Sequence, residues 1–392
     1  MWNRDQCAQL FVQEIARWFL EKSIRIIFRL LEQGPMRNEG FSSQPQDALV
    51  LRQWFENLSE ENAHNVRAVV VDTAWAFFHS LCYFFDGGGS LTLQDGREIL
   101  FPIQMEAYET EDDWLERPLP TWKVRVSPVE QGWLLQDAEW ECVVEVVRRN
   151  RWELYLGIEP DPEALAEVPF EGQPFKVGEY YQLRREARGT CMEAHMVPHG
   201  YMARQLIASF RYETAPAVLL PAEVHYGIHR SNPLPTVESP NSDGGTLVLD
   251  REGAALLFLN ELWSEVFVQT VHEIERSLTR GPSWNPPADT TDPIARRALE
   301  LHHWYTHLSE QNKRSVLALV QYTIEIGFHT LCYFLDGGIY IPYQHEGEVE
   351  FAVYLELYDQ GSQSPSWSVK ICPAKGDGWD LHEVVGDFTS AG

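Results

Sequence analysis

WFENLSEENAHNVRAVVVDTAWAFFHSLCYFFDGG occupies residues 54–88, and WYTHLSEQNKRSVLALVQYTIEIGFHTLCYFLDGG occupies residues 304–338. The two stretches align at a constant offset of 250 without a gap, and 18 of their 35 positions are identical. Weaker matches extend the alignment to residues 5–139 and 254–388. Each half is long enough to bury a core of its own. The sequence therefore predicts one type of domain that occurs twice in tandem.

The hydrophobic periodicity changes once in each half. In the first half, apolar spacing and capping residues predict helices over 5–33 and 48–57, followed by a long helix over 59–88. Apolar residues then alternate with a period of two over 99–105 and 122–126, which is typical of strands. Helices followed by an antiparallel sheet predict an α+β fold.

Residues 140–250 have no counterpart in either half. Short segments typical of strands are separated there by proline and glycine, at Cys142–Val147, Glu153–Gly157, Glu179–Leu183, Ala217–Leu220 and Glu223–Ile228. The predicted organisation is copy 1 over 1–139, a small β-rich middle domain over 140–250 whose residues 231–250 form a linker, and copy 2 over 251–392.

The chain carries a formal net charge of −27, and each of its three regions is negative. Such a surface repels phosphate backbones, which argues against direct binding of nucleic acid. It attracts basic proteins and accelerates their encounter. The densest acidic cluster contains Glu111, Asp112 and Asp113 beside Trp114, so we predict a partner-binding segment there, with a solvated loop as the alternative.

Cysteine usage and hydropathy bear on the location of the protein. The six cysteines lie far apart, which favours free thiols in a reducing cytosol over a disulfide framework. The longest uncharged apolar run, Thr73–Phe85, is shorter than the roughly 18–20 residues of a membrane span. We therefore expect a cytoplasmic protein that does not enter a membrane.

The strongest metal-binding pattern lies in the middle region. Cys191, His195, His199, His225 and His229 place five ligand-type side chains within 39 residues. A zinc ion held by some of them would support a metal-dependent hydrolase. Pro198 and Gly200 disfavour the helix that would align His195 with His199. Apart from this zinc ion, no cofactor is expected.

A second candidate recurs in both halves, as His79, Cys82 and Asp86 and again as His329, Cys332 and Asp336. Neighbouring thiol, imidazole and carboxylate groups suit a thiolate–imidazole pair or half of a metal site. Both sets lie in strongly apolar sequence, which is typical of a buried helix. A structural role is favoured, with the histidine bonded in the core and the aspartate at the helix end.

A third histidine cluster occurs in one half alone. His302, His303 and His307 align with Arg52, Gln53 and Asn57, which means that the shared fold does not require the imidazoles. The pattern favours an exposed helix at this place.

No GxSxG, HExxH or P-loop motif occurs, and no GxGxxG lies between a strand and a helix. We therefore expect an acidic cytosolic protein-interaction module without catalytic residues. A concrete form is an immunity or antitoxin-like binder of a basic protein. The alternatives are the metal-dependent hydrolase of the middle region and a structural scaffold whose halves pack on each other as a pseudo-dimer.

Overall fold

The computed structural model describes residues 3–34, 45–93, 96–108, 120–128, 134–161, 251–338, 341–343, 347–373 and 381. This part of the chain contains long helices and one antiparallel sheet, so the α+β class is confirmed.

The described helices fall into two series that resemble each other. The first series is α1 (Arg4–Ile15), a π-helical turn (Ala16–Glu21), α2 (Lys22–Gln33), α3 (Pro45–Glu56), α4 (Glu60–Tyr83), a π-helical turn (Phe84–Gly88), α5 (Leu134–Arg149) and α6 (Glu153–Leu156). The second series is α7 (Arg251–Leu262), a π-helical turn (Trp263–Val268), α8 (Gln269–Arg280), α9 (Pro293–Thr306), α10 (Glu310–Tyr333) and a π-helical turn (Phe334–Gly338).

Within the described residues, the sheet is four strands wide. Its strands are β1 (Leu91–Thr92), β2 (Glu98–Leu100), β3 (Ile103–Tyr108), β4 (Trp122–Ser127), β5 (Ile341–Tyr343), β6 (Gly347–Tyr358) and β7 (Trp367–Cys372). β2 and β3 lie end to end beside β6, the long central strand of the second half. β1 and β4 extend the sheet on one side, while β5 and β7 extend it on the other.

The two halves meet in the middle of this sheet, where β3 pairs with β6. Ile103 lies opposite Val353, which is its own counterpart at the offset of 250. In the other pairs of this antiparallel ladder, a residue that follows Ile103 by a given number of positions therefore lies opposite the residue that precedes Val353 by the same number. The outer strands β4 and β7 also occupy equivalent positions. The register of β3 against β4 shifts next to Ile103, and the register of β6 against β7 shifts next to Val353. Each half is long enough for a core of its own, but in the part of the chain that the structure describes the halves share one sheet and one hydrophobic core.

One face of the sheet carries buried carboxylates that contact cations, and two of these ion pairs join the two halves. Lys370 on β7 places Nζ 2.6 Å from Glu106 Oε2 and 3.0 Å from Glu350 Oε1. The counterpart of Lys370 is Arg125 on β4, whose Nη1 donates to Glu356 Oε2 at 2.7 Å. The counterparts therefore exchange partners across the sheet.

The environment of Glu106 shows why this network is stable. Burial alone would raise the pKa of Glu106, but the Lys370 ammonium and hydrogen bonds from Tyr354 and Tyr108 outweigh it, so that the pKa is lowered. The carboxylate is therefore held in its charged form. A buried carboxylate with these partners stabilises one arrangement of the strands, whereas one without them would be strongly unfavourable.

The two long helices, α4 and α10, also exchange contacts at their first turns. Ser59 and Ser309 cap them by accepting hydrogen bonds from Asn62 N and Asn312 N, each at 3.3 Å. The side chains of these asparagines then serve the opposite half. Trp54 Nε1 donates to Asn312 Oδ1 at 3.1 Å, and its counterpart Trp304 donates to Asn62 Oδ1 at 2.7 Å.

The shared core is not symmetric in its side chains. Phe19 stacks on Phe77 with ring centroids 4.9 Å apart. The counterpart of Phe77 is Gly327 on α10, where an added Cβ would lie 2.4 Å from the ring of Phe19. The missing side chain on α10 therefore makes room for the ring of Phe19, and the two halves pack by complementing each other.

Two stretches of helix, Glu60–Gly88 and Glu310–Gly337, are long and apolar enough to cross a bilayer. In their most apolar windows, 67% and 61% of the residues are buried inside the fold. This degree of burial is consistent with core helices of a soluble protein.

Two of the strand predictions for the middle region are wrong. Cys142–Val147 lies within α5 and Glu153–Gly157 begins with α6. Taken alone, the apolar run resembles a strand, but together with the preceding turns it has helical spacing, because Leu135, Cys142 and Val146 are all buried. α5 also continues across the predicted boundary between residues 139 and 140. The remaining predicted strands of the middle region and the linker lie outside the described residues.

The exchange of cations predicts how substitutions of Lys370 affect stability. Lys370→Met removes the charge beside Glu106 and Glu350, and we expect the free energy of unfolding to fall by about 2–4 kcal/mol. This is less than for a fully buried pair because the Lys370 side chain is 21% exposed. Lys370→Arg introduces the residue type of Arg125 and should cost less than about 1 kcal/mol. Urea denaturation measures both variants, and equal losses would contradict the charge-based explanation.

Candidate functional site

Both sets of predicted site residues lie outside the described part of the chain. This applies to the metal-ligand candidates Cys191, His195, His199, His225 and His229, and to the partner-binding candidates Glu111, Asp112, Asp113 and Trp114. Within the residues that the structure describes, no group of three or more histidine, cysteine, aspartate or glutamate side chains is arranged to hold a metal ion. The metal-dependent hydrolase therefore gains no support from the described residues.

The trio of His79, Cys82 and Asp86 is separated by the fold into three environments. Asp86 is buried and caps the first turn of α5: its Oδ2 accepts hydrogen bonds from Leu135 N and Gln136 N, each at 3.0 Å. Its Oδ1 accepts a third bond from Ser127 Oγ at 2.8 Å. The carboxylate therefore fixes the start of α5 against the end of α4.

Asp336 occupies the same place in the second half. Its Oδ1 accepts a hydrogen bond from Leu381 N at 2.9 Å. Leu381 is the counterpart of Leu135 at an offset of 246, and the dipeptides Gly132-Trp133 and Gly378-Trp379 match at the same offset. This match was the sequence signal that the repeat continues into the start of α5.

Cys82 does not provide a thiolate. Burial raises its pKa well above the ordinary range, and the nearby charges of Glu139 and Asp86 raise it further. The thiol is therefore neutral at physiological pH and fills space as a small apolar group. Cys332 is buried in the same way in the second half.

His79 is not in the core, contrary to the sequence prediction. Its side chain is 57% exposed, and Nδ1 lies 2.8 Å from Glu139 Oε2 on α5. The same carboxylate accepts a hydrogen bond from Trp75 Nε1 at 3.0 Å. The helix there is apolar on all sides in sequence, but α5 covers it only in part and leaves the edge of the imidazole in solvent.

The outer face of α5 continues this surface. Trp140 packs against Trp75 with ring centroids 5.2 Å apart and is itself 38% exposed. Next to Trp140 an open groove of about 480 Å³ runs along the helix. Its described lining consists of Trp140, Glu141, Val144, Glu145, Arg148, Arg149 and Asp161. We call this surface, together with Trp75, His79 and Glu139, the α5 face.

Some charged groups of the α5 face are paired within the fold, and others are exposed to solvent. Arg149 donates to the buried carboxylate of Glu21 at 2.8 Å, which ties it to the π-helical turn that follows α1. Glu141 and Glu145 are exposed one turn apart on the solvent side. The groove therefore presents the ring of Trp140 beside two outward-facing acids, and the half-buried Arg148 lines it as well. An indole beside carboxylates can accommodate a basic side chain.

Comparison with protein-family models, curated protein sequences and solved structures found no match to this chain.

The contact between Glu139 and His79 predicts how the pKa of His79 responds to substitution of Glu139. The hydrogen bond to Glu139 raises the pKa of His79, burial opposes this, and the charges of Glu139 and Glu273 add to the increase. Glu139→Gln removes the charge but keeps an acceptor for Trp75, so we expect the pKa of His79 to fall. Titration of the imidazole by NMR in wild type, Glu139→Gln and the control Glu141→Gln measures the effect. An unchanged value in Glu139→Gln would contradict the assignment.

The sign of the accompanying change in stability follows from linkage. Because the pKa of His79 is raised on folding, the folded state binds this proton more tightly than the unfolded state does. The added stability is fully present below the unfolded pKa of about 6.5, and it is lost as the pH rises through the folded value. The difference in unfolding free energy between wild type and Glu139→Gln should therefore shrink as the pH increases across that interval.

Proposed function

We propose that this chain is a non-catalytic protein-binding module that engages a basic partner protein through the α5 face. The observation that carries the proposal is the exposed Trp140 beside Glu141 and Glu145, at a groove in a chain of net charge −27. A cationic side chain of the partner would stack on the indole and meet the two carboxylates. The acidic field of the whole chain would accelerate its approach.

The distribution of ion pairs supports this proposal. Many described cations are already engaged with carboxylates of the same chain, among them Arg25, Arg52, Arg67, Arg125, Arg149, Arg297, Lys313 and Lys370. The chain has 58 acidic and 31 basic residues, so the acids outnumber the bases that could neutralise them. The excess negative charge is thus available to a partner.

Catalysis is not part of the proposal. The described cysteines are buried, and the carboxylates of the sheet face are occupied by tyrosine, lysine and arginine partners. A cytosolic immunity-type protein that neutralises a basic toxin has the required properties, namely acidity, free thiols and a surface built for a cationic target. We place the protein in the cytoplasm on the same grounds.

We further propose that the matched halves derive from a duplicated unit, and that they serve as one scaffold for this surface. The exchange of Trp–Asn and Lys–Glu partners between the halves supports that origin. A pseudo-dimer built in this way holds α5 rigidly through Asp86 and Glu139.

Charge reversal of the α5 face tests the proposed function. Glu141→Lys combined with Glu145→Lys should weaken capture of a basic partner from native cytosol by at least about tenfold, because like charges would then oppose each other. The control is Glu98→Lys with Asp359→Lys, which changes the net charge equally at exposed positions of the sheet end. Captured proteins are identified by mass spectrometry, and affinities are measured at low and high salt.

The contrast between these variants decides the outcome. Loss in the α5 variant alone, with affinity that falls as salt rises, supports a specific site. Equal loss in both variants would reduce the interaction to non-specific charge attraction and overturn the assignment to the α5 face. Failure of wild type to retain any basic protein at low salt would overturn the proposed function itself. Trp140→Ala is an independent check, for which we expect roughly 2 kcal/mol of lost binding energy.

A further inference from the structure

A pair of histidines stands at the last turn of α9 on the surface of the second half. His303 and His307 are both exposed, and their ring centroids lie 4.3 Å apart. The spacing of four residues places them on one side of the helix. Two imidazoles at this spacing can bind one metal ion, because two metal–nitrogen bonds of about 2.0–2.1 Å bring the donor atoms to roughly 3 Å from each other.

The hydrogen bond of His307 determines which nitrogen is available to a ligand. His307 Nδ1 lies 2.7 Å from the carbonyl oxygen of His303. A carbonyl oxygen accepts and cannot donate, so Nδ1 carries the proton of the neutral ring. The lone pair is therefore on Nε2. Metal-binding histidines are commonly oriented by such a bond from the other ring nitrogen to a backbone carbonyl.

The equivalent turn in the first half shows what the fold requires of the residue at position 307. Asn57, the counterpart of His307, donates from Nδ2 to the carbonyl oxygen of Gln53 at 2.6 Å. The cap at the end of the helix therefore needs one side-chain donor, which asparagine supplies. Gln53, the counterpart of His303, likewise shows that no imidazole is needed one turn earlier. The second nitrogen of His307 and the ring of His303 contribute nothing that the fold requires.

Two electrostatic features favour a cation at this place. The carbonyl groups at the end of α9 carry the negative end of the helix dipole. The chain as a whole carries a net charge of −27. Imidazole nitrogens select copper, nickel and zinc over magnesium and calcium, and copper(II) binds most tightly in the first-row series.

We propose that His303 and His307 form a surface site that chelates a late first-row transition-metal dication and binds copper(II) most tightly. The two imidazoles leave further coordination positions of the ion to water. The site lies on α9 and is independent of the α5 face, so it stands whether or not the proposed partner binding holds.

The experiment uses full-length protein without a histidine tag, stripped of metal with a chelator and titrated with copper(II). His303→Gln combined with His307→Asn installs the residues of the matching helix, Gln53 and Asn57, and keeps the capping bond. We expect this variant to bind one equivalent of copper(II) fewer than wild type, while its circular dichroism is unchanged. Each single substitution should weaken that equivalent by at least about tenfold, because a direct ligand contributes no less than a second-shell partner does.

A control and a site-specific readout keep the result unambiguous. His272→Gln removes an exposed histidine from α8 and should leave the copper(II) equivalent intact. Substoichiometric copper(II) should selectively broaden the NMR signals of the His303 and His307 rings, and the two-nitrogen hyperfine pattern in electron paramagnetic resonance should disappear in the double variant. The proposal is overturned if the double variant keeps the stoichiometry and a dissociation constant within about twofold of wild type, or if His272→Gln has the same effect.

Discussion

The pairing of β3 with β6 is the constraint on which the rest of the fold depends. Because Ile103 faces its own counterpart Val353, the ladder places all other matched residues at equivalent positions on its two sides. Each half alone would form a sheet only two strands wide, in which the edge that now lies at the β3–β6 ladder would be unpaired. So small a sheet is only marginally stable in water. The central ladder closes both edges at once and brings the cation of each outer strand to a carboxylate of the opposite half.

Complementarity between the halves explains why they differ in their side chains. Gly327 is as necessary for Phe19 as the bulk of Phe77 is, because one ring fills the space between the two long helices. Counterpart residues also differ at the surface. Glu325 replaces Trp75 in the second half, so the fold tolerates either residue there. The indole of Trp75 in the α5 face is therefore not repeated in the second half.

Local features of this fold could be predicted from sequence, whereas contacts between the halves could not. The caps Ser59 and Ser309 and the change of period are short-range signals, and in each half the structure has the predicted long helix with strands after it. The position of Asp86 at a helix end was also evident, but its role in starting α5 depends on a packing partner 49 residues away. The sequence predicts His79 in the core, because periodicity reports the apolar character of a helix and not how far a neighbouring helix covers it. The reciprocal bonds of Trp54 and Trp304 join residues that only the folded sheet brings together.

The acids of this chain divide into two groups with opposite physical consequences. Glu106 and Glu356 are buried and paired with cations, so they hold strands in register and add less to the field outside than exposed acids do. Glu141 and Glu145 are exposed, and they add to a charge of −27 that opposes folding through self-repulsion. Under the function that we propose, the exposed acids of the α5 face serve partner binding, whereas the buried ones hold the fold together.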